Sequence, residues 1–182
     1  MLSKDKRKFG ICVVVFLLTF LVCVNVNAKS SSPRKAPDIT VRQWMTENPP
    51  DIKNLKGRVY VVDFWATWCH SCVEGMEDLN QINKKYSERG LLFMSLCQDK
   101  SPEVINQMIQ EKGINFHVAI DHGTADWYEV KYYPTVAVVN HEGKITWQGK
   151  PWDKKFVKAI DKAMSAAPNQ IAHAKKYTKK SK

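Results

Sequence analysis

The sequence has no second CxxC pair, and its other metal-binding residue types, Cys97, His117, His122 and His141, fall on separate predicted elements. A structural zinc site wants four ligands, usually as two close pairs, so a zinc module is not expected. Cysteine is scarce as well. Of five in all, Cys12 and Cys23 sit inside an N-terminal apolar run, leaving Cys69, Cys72 and Cys97. One close pair and one leftover thiol do not make a disulfide scaffold. No internal repeat is visible, which excludes a solenoid. A basic face is missing too, although the formal charge is +10. Lys4, Lys6, Arg7 and Lys8 crowd one end and Lys175, Lys176, Lys179, Lys180 and Lys182 the other, while the middle is nearly balanced. Nucleic-acid binding needs a basic patch on a folded surface, so no nucleic-acid partner is expected.

What is present is one domain's worth of chain, 182 residues, 44% of them hydrophobic. Its N-terminus reads as an address. Residues 1–8 are basic, residues 9–24 are apolar and small apart from Thr19, and Val26-Asn27-Ala28 supplies the small-x-small order of a cleavage site. That succession is a secretory signal, with cleavage expected after Ala28. An uncleaved anchor is the alternative, because a run of about 16 residues falls only a little short of the ~20 that span a bilayer. A lipoprotein at Cys23 is the third reading, opposed by Val22 where a small residue should precede the cysteine. All three put the domain outside the cytoplasm, periplasmic or extracytoplasmic, where thiol pairs can be oxidised. The membrane enters only if the segment stays uncleaved.

The expected organisation is a signal or anchor over 1–28, a polar linker over 29–35, a domain over 36–167 and a basic disordered tail over 168–182. The tail is expected to be solvated rather than lipid-bound. Within the domain, 38–44 reads as an edge strand. The β-branched run 59–64 and the run 91–97 read as buried strands. Between them, Met76, Leu79, Ile82 and Tyr86 at steps of three and four predict an amphipathic helix over 74–89, closed by Gly90. Ser101 as N-cap and Pro102 at the first helical position open a helix that Gly113 stops. A third strand over 116–120, a short helix over 125–130, a hairpin of 135–139 with 145–148, and a last helix over 153–166 complete the order. Early alternation implies parallel strands, and the late hairpin an antiparallel edge. The fold class is α/β, a mixed central sheet with helices on both faces.

The chemistry concentrates in Trp68-Cys69-His70-Ser71-Cys72. Two thiols at this spacing, where a strand hands over to a helix, can close into a small disulfide ring. The first sits at the helix N-terminus, where unpaired N–H groups favour a thiolate. A free thiol titrates near ~8.5 and such sites lower it to ~3.5–7.5. Cys69 is therefore the expected nucleophile and Cys72, one turn in, the resolving thiol. His70 beside the nucleophile can add positive charge, and Ser71 completes the dipeptide that tunes the pair. A purely structural disulfide is disfavoured, since so short a loop removes little chain entropy.

Val61-Val62-Asp63-Phe64-Trp65-Ala66-Thr67-Trp68-Cys69-His70-Ser71-Cys72 resembles the active-site segment of the thioredoxin superfamily. Tyr133-Pro134-Thr135 resembles its cis-proline loop, and Gly143 and Gly149 match its closing hairpin. Ala36-Pro37-Asp38, Leu55-Lys56-Gly57 and the export signal are most similar to the extracytoplasmic TlpA/ResA-type branch. The resemblance covers about residues 36–166. It implies a redox pair at Cys69 and Cys72, forming a disulfide when oxidised. It implies a cis-proline at Pro134, which with Tyr133 and Trp68 meets the substrate. It implies a buried acid at Asp63 that handles the second thiol's proton. An independent argument supports Asp63, because a carboxylate in an apolar strand is costly unless kept neutral or used. Trp65 and Trp68 match aromatic residues flanking the site. No cofactor is implied. The partners implied are client proteins with disulfides or thiols, cytochrome c apoproteins among them, and a membrane electron donor.

The departures from that pattern bear on function. Glu77 stands where the family has a helix-kinking proline, so a straighter helix is expected. Gly75 stands where the TlpA-type glutamate would be. The dipeptide His70-Ser71 is not the common Pro-Pro or Gly-Pro, and it tunes the potential at about 1.4 kcal/mol per 30 mV. Three readings remain open. In one, the protein is an exported disulfide reductant. In another it is an oxidase or isomerase, since a cation near the thiolate stabilises the reduced form and makes the protein oxidising. In the third it is a module that binds a metal or partner without turnover, for which His117 or His122 are the available imidazoles. A peroxidase would need Thr and Arg around a single cysteine, an arrangement this segment lacks. Cys97 reads as an inert core thiol, or else as a third redox sulfur.

Overall fold

The apolar, β-branched run after Arg58 has no polar face to offer water, and it becomes the centre of the sheet. The structure is a computed structural model and describes residues 33–167 and 169–172. In it the run is strand β3 (Tyr60–Trp65), with all six residues buried. Around it lie β1 (Arg34–Lys35), β2 (Val41–Trp44), β4 (Leu92–Cys97), β5 (His117–Asp121), β6 (Thr135–Val139) and β7 (Lys144–Gly149). Among the described residues they form one seven-stranded sheet in the order β1-β7-β6-β3-β4-β5-β2. β3, β4 and β5 are parallel neighbours, since a crossover helix separates each from the next. β6 and β7 return antiparallel, and β2 and β1 add antiparallel edges to β5 and β7. The mixed sheet flanked by helices is the expected fold class.

The helices are α1 (His70–Glu74), α2 (Met76–Ser87), α3 (Pro102–Glu111), α4 (Thr124–Trp127) and α5 (Lys154–Ser165). Alternation along β3 divides the core in two. Val61 and Trp65 face a cluster holding Cys69, Cys72, Met76, Leu79, Tyr86, Phe156 and Ile160. This is the face covered by α1, α2 and α5. Tyr60, Val62 and Phe64 face a second cluster with Ala125, Tyr128 and the N-terminal Ile39. The hairpin turn is built as its sequence suggests. Asn140 Oδ1 accepts from the N–H groups of Glu142 and Lys144, and Gly143 takes φ +75°, a left-handed backbone that suits glycine.

Four expectations need correction. The linker does not reach residue 35, because Arg34–Lys35 pair with Ile145 and Lys144 as strand β1. Edge pairing uses the backbone alone, so no apolar pattern announces it. The Arg34 guanidinium anchors it by donating to Tyr128 O at 2.9 Å and Gln148 Oε1 at 3.2 Å. The domain also extends beyond residue 167. Gln170, assigned to the tail, is buried. Its side chain accepts from Val59 N at 2.8 Å and donates to Gly57 O at 2.7 Å. The expected straight helix is instead interrupted at Gly75, which separates α1 from α2 at φ −76°, ψ −6°. Lastly, Ser101 occupies the N-cap position of α3 as expected, but its side chain makes no capping hydrogen bond. Its hydroxyl is drawn to Glu103 Oε2 at 2.8 Å, a charged acceptor.

Residues 1–28, the rest of the linker up to 32, and the tail from 173 lie outside the described residues. Among the described residues no helix is long and apolar enough to cross a membrane.

Candidate active site

At the C-terminal end of β3 the chain leaves the sheet through Ala66, Thr67 and Trp68 and enters α1. Two neighbours of β4 hold this exit. Gln98 N donates to Trp65 O at 2.9 Å. Asp99 Oδ2 accepts from Thr67 N at 2.7 Å and Thr67 Oγ1 at 3.1 Å. Cys69 N then closes a turn on Ala66 O at 3.1 Å. Sequence reasoning missed Asp99. The available signal was a carboxylate just past the end of a buried strand, where an open loop needs an acceptor.

Cys69 is the N-cap of α1, and no side chain supplies an acceptor to the first-turn N–H groups. Cys69 and Cys72 are joined as a disulfide with Cα atoms 5.2 Å apart, within the ordinary range for such bonds. Cys69 keeps 8% of its surface and Cys72 2%, so the sulfur a client could reach first is that of Cys69. Ser71 Oγ lies 3.7 Å from Cys69 Sγ. His70, by contrast, turns away to solvent. Its Nε2 meets Glu74 Oε1 at 3.1 Å across one helical turn.

Above the disulfide, Trp68 is 68% exposed and meets Tyr133 edge-on at 6.0 Å between ring centroids. The Tyr133–Pro134 peptide bond is cis. Thr135 Oγ1 donates to Tyr132 O at 2.7 Å and ties that loop to the start of β6. Trp65 differs from Trp68 in being wholly buried. It is core, and its indole Nε1 has no hydrogen-bond partner in the structure.

Asp63 lies within β3. It stands between Val61 and Trp65 on β3, so its side chain shares the sheet face that packs against Cys69 and Cys72. It has no exposed surface. Oδ2 accepts from Ser95 Oγ at 2.6 Å, and Oδ1 has no partner. Burial pushes its pKa up to about 7 against the opposing pull of the Ser95 hydrogen bond. It can therefore hold or release a proton near neutral pH. The third thiol is different. Burial pushes Cys97 up to about 12, and its S–H points to Asp99 Oδ2 at 3.5 Å. Among the described residues no group of three His, Cys, Asp or Glu is placed to hold a metal ion. His117 packs edge-on against Trp44, and burial, then the nearby Arg58 charge, disfavour its protonation.

Comparison with known proteins points to the same chemistry. Residues 32–168 match the Redoxin family. The thiol-disulfide oxidoreductase ResA of Bacillus thuringiensis (strain Al Hakam) is 30% identical over 117 residues, 63% of this chain and 67% of that protein. ResA of Oceanobacillus iheyensis is 25% identical over 147 residues, 76% of this chain and 77% of that one. Among solved structures, a thiol:disulfide interchange protein of the thioredoxin family from Chlorobium tepidum superposes with a TM-score of 0.63 at 22% identity, covering 73% of this chain and 97% of that chain. At that identity the likeness concerns the fold.

Proposed function

The chain belongs to the Redoxin family and is a thiol–disulfide oxidoreductase; from that premise we propose that it is an exported reductant of protein disulfides working through Cys69 and Cys72. In the reduced protein the Cys69 thiolate attacks one sulfur of a client disulfide. The client's second sulfur leaves as a thiolate and takes a proton. Cys72 then gives up its proton and attacks Cys69 of the mixed disulfide. The Cys69–Cys72 bond forms and the client leaves with both sulfurs reduced. Two electrons pass from the dithiol to the client, and a membrane electron donor restores the dithiol.

The observation that carries this reading is Asp63, wholly buried on the sheet face that carries the pair, where burial raises its pKa to about 7. A base in that position takes the proton of Cys72 as it attacks and returns it when the pair is reduced again. Cys69 is the nucleophile and Cys72 the resolving thiol. Trp68, Tyr133 and Pro134 form the surface a client backbone meets, and His70 and Ser71 tune the pair. The oxidase reading needs an imidazolium near sulfur, and the His70–Glu74 contact at 3.1 Å weighs against it. Cytochrome c apoproteins are the client class we favour, on the likeness to the ResA branch. Export rests on the basic, apolar, small-x-small order of residues 1–28.

Two measurements test this. A reduction potential near or below ~−270 mV supports a reductant, whereas one near ~−120 mV overturns it in favour of an oxidase. A Cys72→Ser chain should accumulate mixed disulfides through Cys69. Absence of such adducts, with Cys69 shown to be reduced and accessible, would remove the enzymatic account.

A further inference from the structure

Asp63 and Ser95 face one another in the β3–β4 register, and neither has any exposed surface. Their side chains meet at 2.6 Å. The Ser95 hydroxyl donates and the carboxylate accepts, because an ionised carboxylate has no proton to give. Among the described residues this is the one hydrogen bond to the Asp63 side chain, and Oδ1 has none. On the other flank the register partner is Val136, which is apolar. From α2 the covering side chains are Met76, Leu79 and Tyr86, and from α5 Phe156 and Ile160. Among the described residues the titratable groups on this face are the two thiols of the reduced pair, Cys97, the partly buried Tyr133 phenol and the Tyr86 phenol, whose hydroxyl is committed to Asp161 at 2.8 Å. Among the described residues no cation acts on the Asp63 proton affinity, which burial raises and the Ser95 hydrogen bond lowers.

We propose that Ser95 is the positioning residue that sets the proton affinity of Asp63, and through it the pH range in which Cys72 can resolve a mixed disulfide. This rests on the role given to Asp63 above. One donated hydrogen bond stabilises the carboxylate and does little for the carboxylic acid, so it draws the acid downward against burial. Removing the hydroxyl leaves a buried carboxylate with no donor, and Asp63 then stays protonated to higher pH. The same bond fixes one oxygen toward β4 and leaves the unpartnered Oδ1 as the atom able to exchange a proton with the pair.

The test is a titration of the Asp63 carboxyl carbon by NMR in the full chain with the Cys69–Cys72 disulfide intact. Wild type is compared with Ser95→Ala and with Ser95→Thr, which keeps a hydroxyl. Hydrogen bonds to charged groups lie at the strong end of the range, so Ser95→Ala should raise the midpoint by about one pH unit, a tenfold change in proton affinity. Ser95→Thr should return it to within a few tenths of wild type. In the reduced protein, the pH profile of mixed-disulfide resolution should move by the same amount. An unmoved midpoint in Ser95→Ala overturns the proposal, as does a Ser95→Thr midpoint displaced as far as that of Ser95→Ala. Ser95→Gly removes the same hydroxyl and serves if the alanine variant does not fold. Because the titration uses oxidised protein and needs no client, its outcome is separable from the proposed function. A midpoint that moves in a chain that reduces nothing would sink the reductant reading and leave only the control of Asp63 by Ser95 standing.

Discussion

Replacing Asp63 by asparagine should remove the loss of stability that Asp63 causes as pH rises, so that the order of stability of the two proteins reverses between acid and alkaline pH. Burial raises the Asp63 pKa from an ordinary 3.8 to about 7, roughly 3 units at about 1.36 kcal/mol each, or about 4 kcal/mol. Between those two values the folded protein keeps a proton that the unfolded chain has released. Stability therefore falls as pH rises through this window and levels off above about 7. In Asp63→Asn the amide oxygen can still accept from Ser95, but the NH2 group occupies the place of the unpartnered Oδ1. A buried donor without an acceptor costs about 1–3 kcal/mol at every pH. The variant should thus be less stable than wild type by about 1–3 kcal/mol near pH 4 and more stable by a similar amount near pH 8.5. The swing of about 4 kcal/mol is the sharper quantity, because the fixed cost of the amide cancels from it. Other titrating groups are common to both proteins and cancel as well. Urea unfolding of the oxidised full chains at several pH values measures it. Stability curves that run parallel, their separation changing by less than about 1 kcal/mol over that range, would refute the claim that Asp63 is buried as a neutral acid.

Two other features predict outcomes as directly. Gln170→Ala should cost about 1–3 kcal/mol in the same unfolding assay, since it strands the N–H of fully buried Val59 and the carbonyl of Gly57. An unchanged midpoint would mean that this segment does not hold the sheet in solution. In reduced protein near pH 8, iodoacetamide should label Cys69 and spare Cys97, whose thiol is pushed up to about 12 by burial. Mass spectrometry of the peptides reads the sites, and Cys97→Ala should keep disulfide reduction within roughly twofold of wild type because an un-ionised thiol is a poor nucleophile.

Much of this protein follows from local chemistry that a linear sequence displays. The run 59–64 has no hydrophilic alternation, so it has to be buried on both faces, and β3 is. The spacing of Met76, Leu79 and Tyr86 prescribes which face of α2 is covered. Cys69 and Cys72, two residues apart at a strand–helix junction, need no distant partner to form their ring. Other features depend on residues far apart in sequence. Ser95 meets Asp63, and Asp99 holds Thr67, only because β4 lies parallel to β3 in one register, and the sequence contains no local mark of that register. The β1 pairing of Arg34–Lys35 and the burial of Gln170 use backbone groups, which are the same in every residue and carry no pattern. The contact of His70 with Glu74, by contrast, is local, one turn along the helix that carries both. The sequence alone determined that a redox-competent pair of thiols exists and where it lies along the chain. Tertiary packing decided how completely Asp63 is buried and which hydroxyl it meets, that of Ser95, because desolvation and hydrogen bonding are properties of the surroundings a side chain acquires on folding.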